Sequence, residues 1–169
     1  IGVLMPQVIV DQIVRQDDKA ALIAYRSHSY SILNARLNQI ASRLAGLLQC
    51  EGYQAFPIAA AERADGENLH GLLSHKLAAH LAGLGWIGKS CLLVSHELGT
   101  RVRWISILTE APLTPTGGPT AQQCGDCTLC VDICPAHAFT GRPFDPAEPR
   151  DLRFDVTACK AHQNRMLEE

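Results

Sequence analysis

The chain contains 169 residues, of which 47% are hydrophobic and 19% are charged, and its formal net charge is −2. This composition excludes an intrinsically disordered chain. Without a long apolar run or a sustained repeat, it also excludes a membrane-spanning helix, a collagen and a coiled coil. The near balance of acidic and basic residues does not favour a strongly cationic nucleic-acid binder.

The first elements can be predicted from the pattern of apolar residues. Residues 1–5 predict a short buried strand. From residue 29 or 31 to Cys50, apolar residues recur at spacings of three and four and Gly52 follows, which predicts an amphipathic helix. Residues 53–58 then predict a strand that returns to the same sheet.

The middle of the chain predicts a helix and two further strands. The helix is expected at about residues 69–81. The strand-like runs 91–95 and 102–109 are separated by a turn at residues 96–100, so we expect them to form an antiparallel hairpin.

Composition changes after Glu110. Residues 111–123 are rich in Pro, Gly and Thr, which is typical of a linker, and a final helix is expected from about Val156. The sequence therefore predicts an α+β fold with an α/β domain at residues 1–118, followed by a small cysteine-rich domain at residues 119–169.

The cysteines carry the strongest signal. Four of the seven lie in a C-x2-C-x2-C-x3-C-P run, formed by Cys124, Cys127, Cys130 and Cys134 and followed by Pro135. This is the bacterial ferredoxin run, whose thiolates hold a [4Fe–4S] cluster. A zinc site and a pair of redox disulfides are the alternatives, but zinc sites usually join two separated C-x2-C knuckles. Clustered cysteines in a chain of this size also indicate a reducing compartment, the cytoplasm.

The number of cysteines bears on the number of clusters. The fourth cysteine of such a run ordinarily binds a second cluster, and Cys159 adds a fifth thiol. These five suit either one cluster with a spare thiolate or the larger part of two, so we expect further sequence beyond residue 169. Because the chain opens at Ile1 and not at Met, we also expect further sequence before it. His162 is a weaker alternative ligand, whereas Cys50 and Cys91 are expected to be small buried residues.

A glycine-rich loop follows the second predicted helix. Residues 83–90 match both the dinucleotide fingerprint and the P-loop pattern, but both patterns need a strand before the loop and a helix after it. The predicted order is the reverse, so a P-loop ATPase remains only an alternative. We expect the backbone of this loop to lie close to a flat or bulky group, with Trp86 and Lys89 beside it. His70, His75 and His80 are five residues apart and cannot share one helix face, so they predict no mononuclear metal site.

Residues 75–113, followed by the cysteine run, resemble the epoxyqueuosine reductase family and, more distantly, the reductive dehalogenases. The resemblance extends over residues 25–159. It implies a nitroreductase-like α/β domain joined to a ferredoxin-like domain with two [4Fe–4S] clusters. It also implies that Cys134 and Cys159 bind the second cluster.

The resemblance further implies a corrinoid (cobalamin) in the first domain, to which the clusters pass electrons from a redox partner protein or another reductant. The loop residues expected to bind this or another small-molecule cofactor are Gly83, Gly85, Trp86, Gly88 and Lys89. An electron-transfer module without its own catalytic pocket is the alternative.

The chain departs from the family in one catalytic stretch. The family carries an acidic general acid in a D-S-A-P-like segment ahead of the glycine loop, whereas residues 68–76 read NLHGLLSHK here. The proton donor is therefore absent or replaced, with His75 and Lys76 as candidates. The tRNA substrate of the family is not supported by the charge balance, and no membrane partner is expected.

Overall fold

The computed structural model describes residues 1–13, 18–64 and 70–168. The described strands are β1 Gly2–Leu4, β2 Ala55–Ile58, β3 Trp86–Ile87, β4 Leu93–Val94, β5 Val102–Trp104 and β6 Ser106–Thr109. The described α-helices are α1 Gln7–Gln12, α2 Lys19–Arg26, α3 Leu33–Cys50, α4 His75–Leu81, α5 Leu129–Asp132 and α6 Val156–Glu168. The fold is thus a mixture of helices and small sheets.

Helix α3 confirms the longest predicted element. A π-helical segment, Ser27–Ile32, joins α2 to α3, so the whole predicted range is helical although α3 itself begins at Leu33. The buried positions of α3 include Leu33, Leu37, Ala41 and Ala45, spaced four residues apart as on one helix face. Past the end of the helix, Gly52 has a φ of +90°, a conformation that glycine adopts without steric cost.

The face of α3 packs against β1, β2, β5 and β6. Strand β1 pairs antiparallel with β5, and β2 pairs antiparallel with β6. Between β5 and β6, Ile105 is 2% exposed and shares a core cluster with Leu37 and Ala41. The predicted first strand is confirmed in place but is not buried, because Leu4 is 46% exposed and burial is reached only at Met5.

The predicted hairpin between residues 91–95 and 102–109 is wrong. The chain does turn back between Ser95 and Gly99, but β4 pairs with β3 instead of β5. The second run is divided between two partners, β1 and β2, which both lie on α3. Leu93 of β4 is buried in a separate cluster with Ala79 and Ile87. Burial against two different helices therefore overrides the local turn signal.

The second predicted helix begins later than expected. Residue 69 lies outside the described residues, and α4 starts at His75 because the Ser74 side chain accepts a hydrogen bond from the Leu77 N–H at 3.3 Å and caps the helix. Phe144, from the C-terminal part of the chain, packs on the core cluster that α4 helps to form. This contact brings the two parts of the chain together beside α4.

The C-terminal part contains little regular structure. Residues 112–124 carry neither helix nor strand, as expected of the predicted linker, and α6 confirms the predicted final helix. Phe139 and Phe154 form an isolated β-bridge and stack their rings at 5.2 Å. No described helix is both long enough and apolar enough to cross a membrane.

Candidate functional site

The first three cysteines of the run form one group. The Cys127 N–H donates to the Cys124 carbonyl at 2.9 Å, which closes a tight turn, and Cys130 lies on the short helix α5. Burial raises the pKa of the Cys130 thiol, and repulsion from the thiolates of Cys124 and Cys127 raises it further. The three sulfurs therefore share one neighbourhood.

Cys134 and Cys159 form a second group. Cys134 Sγ accepts a hydrogen bond from the Ala138 N–H at 3.5 Å, and Cys159 Sγ accepts one from Gln163 Nε2 at 3.5 Å. Burial and the nearby Cys134 raise the pKa of the Cys159 thiol. Helix α6 thus brings Cys159 back to the last cysteine of the run.

This donor set suits an iron–sulfur cluster better than a single ion. Among the described residues, no three His, Cys, Asp or Glu side chains converge closely enough to hold one metal ion. In a [4Fe–4S] cluster each thiolate binds a different iron, so the sulfurs stand farther apart. At Gly88, a Cβ atom would lie 3.5 Å from Cys124 Sγ, so the missing side chain leaves room beside that sulfur. The residues present therefore fit such a cluster.

The glycine loop packs against backbone. A Cβ on Gly83 would lie 2.8 Å from the Gly118 carbonyl oxygen, and one on Gly85 would collide with the Val94 carbonyl. Gly83 and Gly85 have φ angles of +79° and +150°. The groups that lie close to the backbone of this loop are thus other parts of the chain, namely β4 on one side and the linker on the other.

Lys89 ties this loop to the cysteine run. Its Nζ donates to the carbonyls of Gly125 at 2.8 Å and Cys127 at 3.2 Å. Trp86 lies beside His96, with ring centroids 5.5 Å apart. Trp86 Nε1 is buried, and no described residue accepts a hydrogen bond from it.

A cleft of about 610 Å³ lies next to α4, with walls that come from both parts of the chain. His75 and Lys76, the predicted proton donors, both line it, whereas the predicted cofactor-binding residues of the glycine loop are not among its described lining residues. His75 Nδ1 is 3.0 Å from Ser106 Oγ and Nε2 is 3.2 Å from the Ala59 carbonyl oxygen. Burial lowers the pKa of His75.

Lys76 is anchored at the wall of the same cleft. Its Nζ donates to the Cys91 carbonyl at 2.5 Å. Burial is the main cause that lowers the pKa of this ammonium group. Cys91 is itself buried, as predicted, and has a φ of +55°, whereas the prediction of a buried Cys50 is wrong because Cys50 is exposed. Its place at the end of α3, next to the turn at Gly52, leaves it open to solvent.

Sequence reasoning missed the arginines of the cleft. Arg150 and Arg153 line it from a single 3₁₀ turn, Arg150–Leu152, and the residue that follows it. Arg103 lines it from β5 and lies 4.4 Å above the Tyr30 ring. The only sequence signal was the three-residue spacing of Arg150 and Arg153, which places side chains on one side of a 3₁₀ turn. Neither the turn nor the burial of Arg153 was predicted.

These features define a mixed α/β protein in which a ferredoxin-type cysteine run lies against a glycine loop. No known protein-family profile matches the chain. It is 29% identical over 150 residues to the epoxyqueuosine reductase of Pseudomonas aeruginosa strain PAO1, a match that covers 88% of this chain and 36% of that protein. It is 41% identical over 69 residues to the epoxyqueuosine reductase of Bacillus anthracis, which covers 41% of this chain and 18% of that protein.

One solved structure agrees with these matches. It is a crystal structure of epoxyqueuosine reductase with an epoxyqueuosine-modified tRNA-Tyr stem loop. It matches with a TM-score of 0.51 at 27% identity, over 63% of this chain and 26% of that one. The predicted resemblance to the epoxyqueuosine reductase family is confirmed. The matched part of this chain spans between 18% and 36% of the length of these relatives.

The tRNA-bound relative also corrects one expectation. The charge balance of this chain argues against tRNA, yet a protein of similar fold has been crystallised with a tRNA stem loop. Net charge is a poor guide here because RNA contacts depend on local groups of cations and not on the sum over the chain.

Proposed function

We propose that this chain is part of an iron–sulfur reductase that acts as the epoxyqueuosine reductases do, on an RNA substrate. The proposal rests on the separation of five thiols into two groups, of which the first lies beside the Lys89 loop, in a chain with this family resemblance. Residues 1–118 would form a nitroreductase-like domain and residues 119–169 a ferredoxin-like domain.

The cysteines would hold the clusters. Cys124, Cys127 and Cys130 would bind one [4Fe–4S] cluster, and Cys134 and Cys159 would contribute to a second. When bound, these clusters supply single electrons to an acceptor. Lys89 would hold the first cysteine loop in place through the carbonyls of Gly125 and Cys127, because a cation bonded to two carbonyls limits the movement of that loop.

The cleft beside α4 would receive the acceptor. The resemblance suggests a corrinoid, which would contact the described walls of the cleft and not the predicted glycine-loop residues, because these do not line it. His75 is the favoured proton donor or acceptor, because its neutral ring is oriented by Ser106 and Ala59. Lys76 is the second candidate at the same wall.

Anaerobic reconstitution with iron and sulfide tests the cluster assignment. We expect the wild type to bind about four iron and four sulfide per cluster and to give a reducible cluster signal by electron paramagnetic resonance. Cys127→Ser should lose the first cluster, whereas Cys50→Ser should match the wild type because Cys50 lies on α3. Bound zinc without sulfide, or equal iron in Cys127→Ser and wild type, would contradict the assignment.

The same reconstituted protein can be titrated with cobalamin. A change in the visible spectrum of cobalamin, which reports its axial ligation, is expected if the acceptor is a corrinoid. Intact clusters with an unchanged cobalamin spectrum would instead favour an electron-transfer module without a corrinoid.

A further inference from the structure

Arg153 is a buried cation without a counter-charge among the described residues. The residue is 5% exposed, and no described carboxylate forms an ion pair with it. Its Nε is buried and no described group accepts a hydrogen bond from it. The one described contact of its guanidinium group that offsets charge is the Phe144 ring, whose centroid lies 4.7 Å away.

Such a group is costly to bury. The guanidinium group of arginine remains protonated in proteins, so it cannot escape the cost by losing its proton. Buried charges are therefore normally paired, and an aromatic ring replaces only part of an ion pair. The acidic residues among the described walls are Glu148, which is bonded to Arg142 at 2.6 Å, and the exposed Glu62, and neither forms an ion pair with Arg153. The described part of the chain thus provides no anion for this guanidinium group.

Two more cations line the same cleft. Lys76 and Arg150 are wall residues together with Arg153. Arg150 also pairs with the exposed carboxylate of Asp151 at 3.4 Å. Burial is the main cause that lowers the pKa of Lys76, and the neighbouring charges of Arg150 and Arg153 lower it further.

The rest of the cleft is suited to an organic group. Its described walls include apolar side chains, most of them from the core cluster beside α4, namely Ile58, Leu77, Ile87, Leu93, Trp104 and Phe144. Its volume of about 610 Å³ is that of a pocket for a ligand larger than an inorganic ion. The chemistry therefore combines a concentrated cationic wall with an apolar remainder.

We propose that this cleft binds the phosphate group of a ligand, held by Arg153, Arg150 and Lys76. The fork of an arginine matches two phosphate oxygens, and a lysine adds a point charge to a third. None of the five clustered cysteines is among the described lining residues. The phosphate site therefore stands whether or not the chain holds iron. The phosphate could belong to a small phosphorylated molecule or to an RNA backbone, and the experiment separates these sources.

Calorimetric titration of the whole chain with inorganic phosphate, at fixed ionic strength set with chloride, tests the site. We expect saturable binding by the wild type and a loss of affinity of about tenfold or more in Arg153→Gln, because hydrogen bonds to charged groups are lost. Arg43→Gln is the matched control, since Arg43 is exposed on α3, and its affinity should equal that of the wild type.

A stability measurement distinguishes binding from a structural role. If Arg153 serves a ligand, removing its unpaired charge should leave the free protein at least as stable, because the desolvation cost disappears. A protein that becomes markedly less stable, with unchanged phosphate affinity, would assign Arg153 to packing on Phe144 and overturn the proposal. If Arg153→Gln does not fold, Lys76→Met serves in its place with the same expected loss of phosphate affinity.

Competition identifies the source of the phosphate. If a tRNA stem loop displaces inorganic phosphate from the wild type, the phosphate of the natural ligand belongs to an RNA backbone. Any phosphate that Arg153→Gln still binds lies at another site, and the stem loop should not displace it. Phosphate binding that the RNA does not affect indicates a small phosphorylated molecule. No phosphate binding by the wild type at millimolar concentrations, or equal affinities of wild type and Arg153→Gln, would overturn the proposal.

Discussion

His75 has both of its ring nitrogens engaged. A carbonyl oxygen can only accept a hydrogen bond, so Nε2 donates to Ala59 and Nδ1 is left to accept from the Ser106 hydroxyl. This arrangement holds a neutral ring in one tautomer and orientation. It ties the first residue of α4 to residues beside β2 and in β6 and positions the imidazole at the cleft wall.

This burial predicts a pH effect on stability. The pKa of His75 is lower in the folded chain than in the unfolded one, so the unfolded state takes up a proton first as the pH falls. The free energy of unfolding should therefore decrease as the pH falls from about 6.5, the unfolded value, through the lower folded value.

His75→Gln should remove that part of the pH dependence, because an amide can make both hydrogen bonds without titrating. Urea unfolding of metal-free protein at several pH values measures it, with His162→Gln, a histidine on α6, as the control. A pH profile of His75→Gln that superimposes on the wild-type profile would contradict the prediction.

Residues differ in how far the sequence reveals them. The cysteine run can be recognised in the sequence because metal chemistry fixes both residue type and spacing. Its cysteines influence one another electrostatically in the structure, and their assignment to clusters stays a prediction. Arg153 could not be found in the same way. Its burial depends on Phe144, nine residues earlier, and on a cleft whose other wall is α4. No local pattern encodes such a combination.

Two glycines of different elements provide a direct comparison. Gly85, between α4 and β3, has a φ of +150° and no room for a Cβ because of the Val94 carbonyl. Gly46 lies within α3 and has nothing within 4 Å of the place where its Cβ would be. The same substitution should therefore have opposite effects at the two sites.

Gly85→Ala should lower the free energy of unfolding by about 2 kcal/mol or more, from strain and a steric clash. Gly46→Ala should raise it by about 0.5–1 kcal/mol, because alanine loses less backbone entropy in a helix. Urea unfolding followed by circular dichroism measures both. Equal midpoints for Gly85→Ala and the wild type would show that the α4–β3 turn adapts more freely than this geometry indicates.

Helices and strands, like single residues, could be predicted from the sequence only where the pattern that defines them is local. Helix α3 was predictable because its buried face repeats every four residues within one continuous segment. The hairpin prediction was wrong because β5 and β6 pair with strands 48 to 102 residues earlier in the chain, across α3. Local sequence patterns thus predicted the positions of these strands but not the strands with which they pair.

At the scale of the whole molecule, the C-terminal part depends least on regular structure. Between residues 111 and 155 the described helices are α5, of four residues, and a 3₁₀ turn of three. A segment with so few regular backbone hydrogen bonds is stabilised largely by the group that its cysteines bind.

Removal of iron should therefore lower the melting temperature. A ligand that binds only the folded state stabilises it, and each kcal/mol raises the melting temperature by about 2–4 °C in a chain of this size. Scanning calorimetry before and after anaerobic chelation should show this decrease in full in the wild type and in Cys50→Ser, and a smaller decrease in Cys127→Ser, which lacks the first cluster before chelation. An unchanged melting temperature after chelation would mean that the fold of this segment is independent of the metal.

The pairing of Gly2 with Trp104 has a consequence for how the chain is made. A ribosome adds about 5–20 residues per second, so β1 waits on the order of 5–20 s for β5 to be synthesised. The helical segment that ends with α3 closes only local contacts and can form during that interval. The cysteine run is translated after β5, so its thiols first meet iron when the sheet and the Lys89 loop can already be in place.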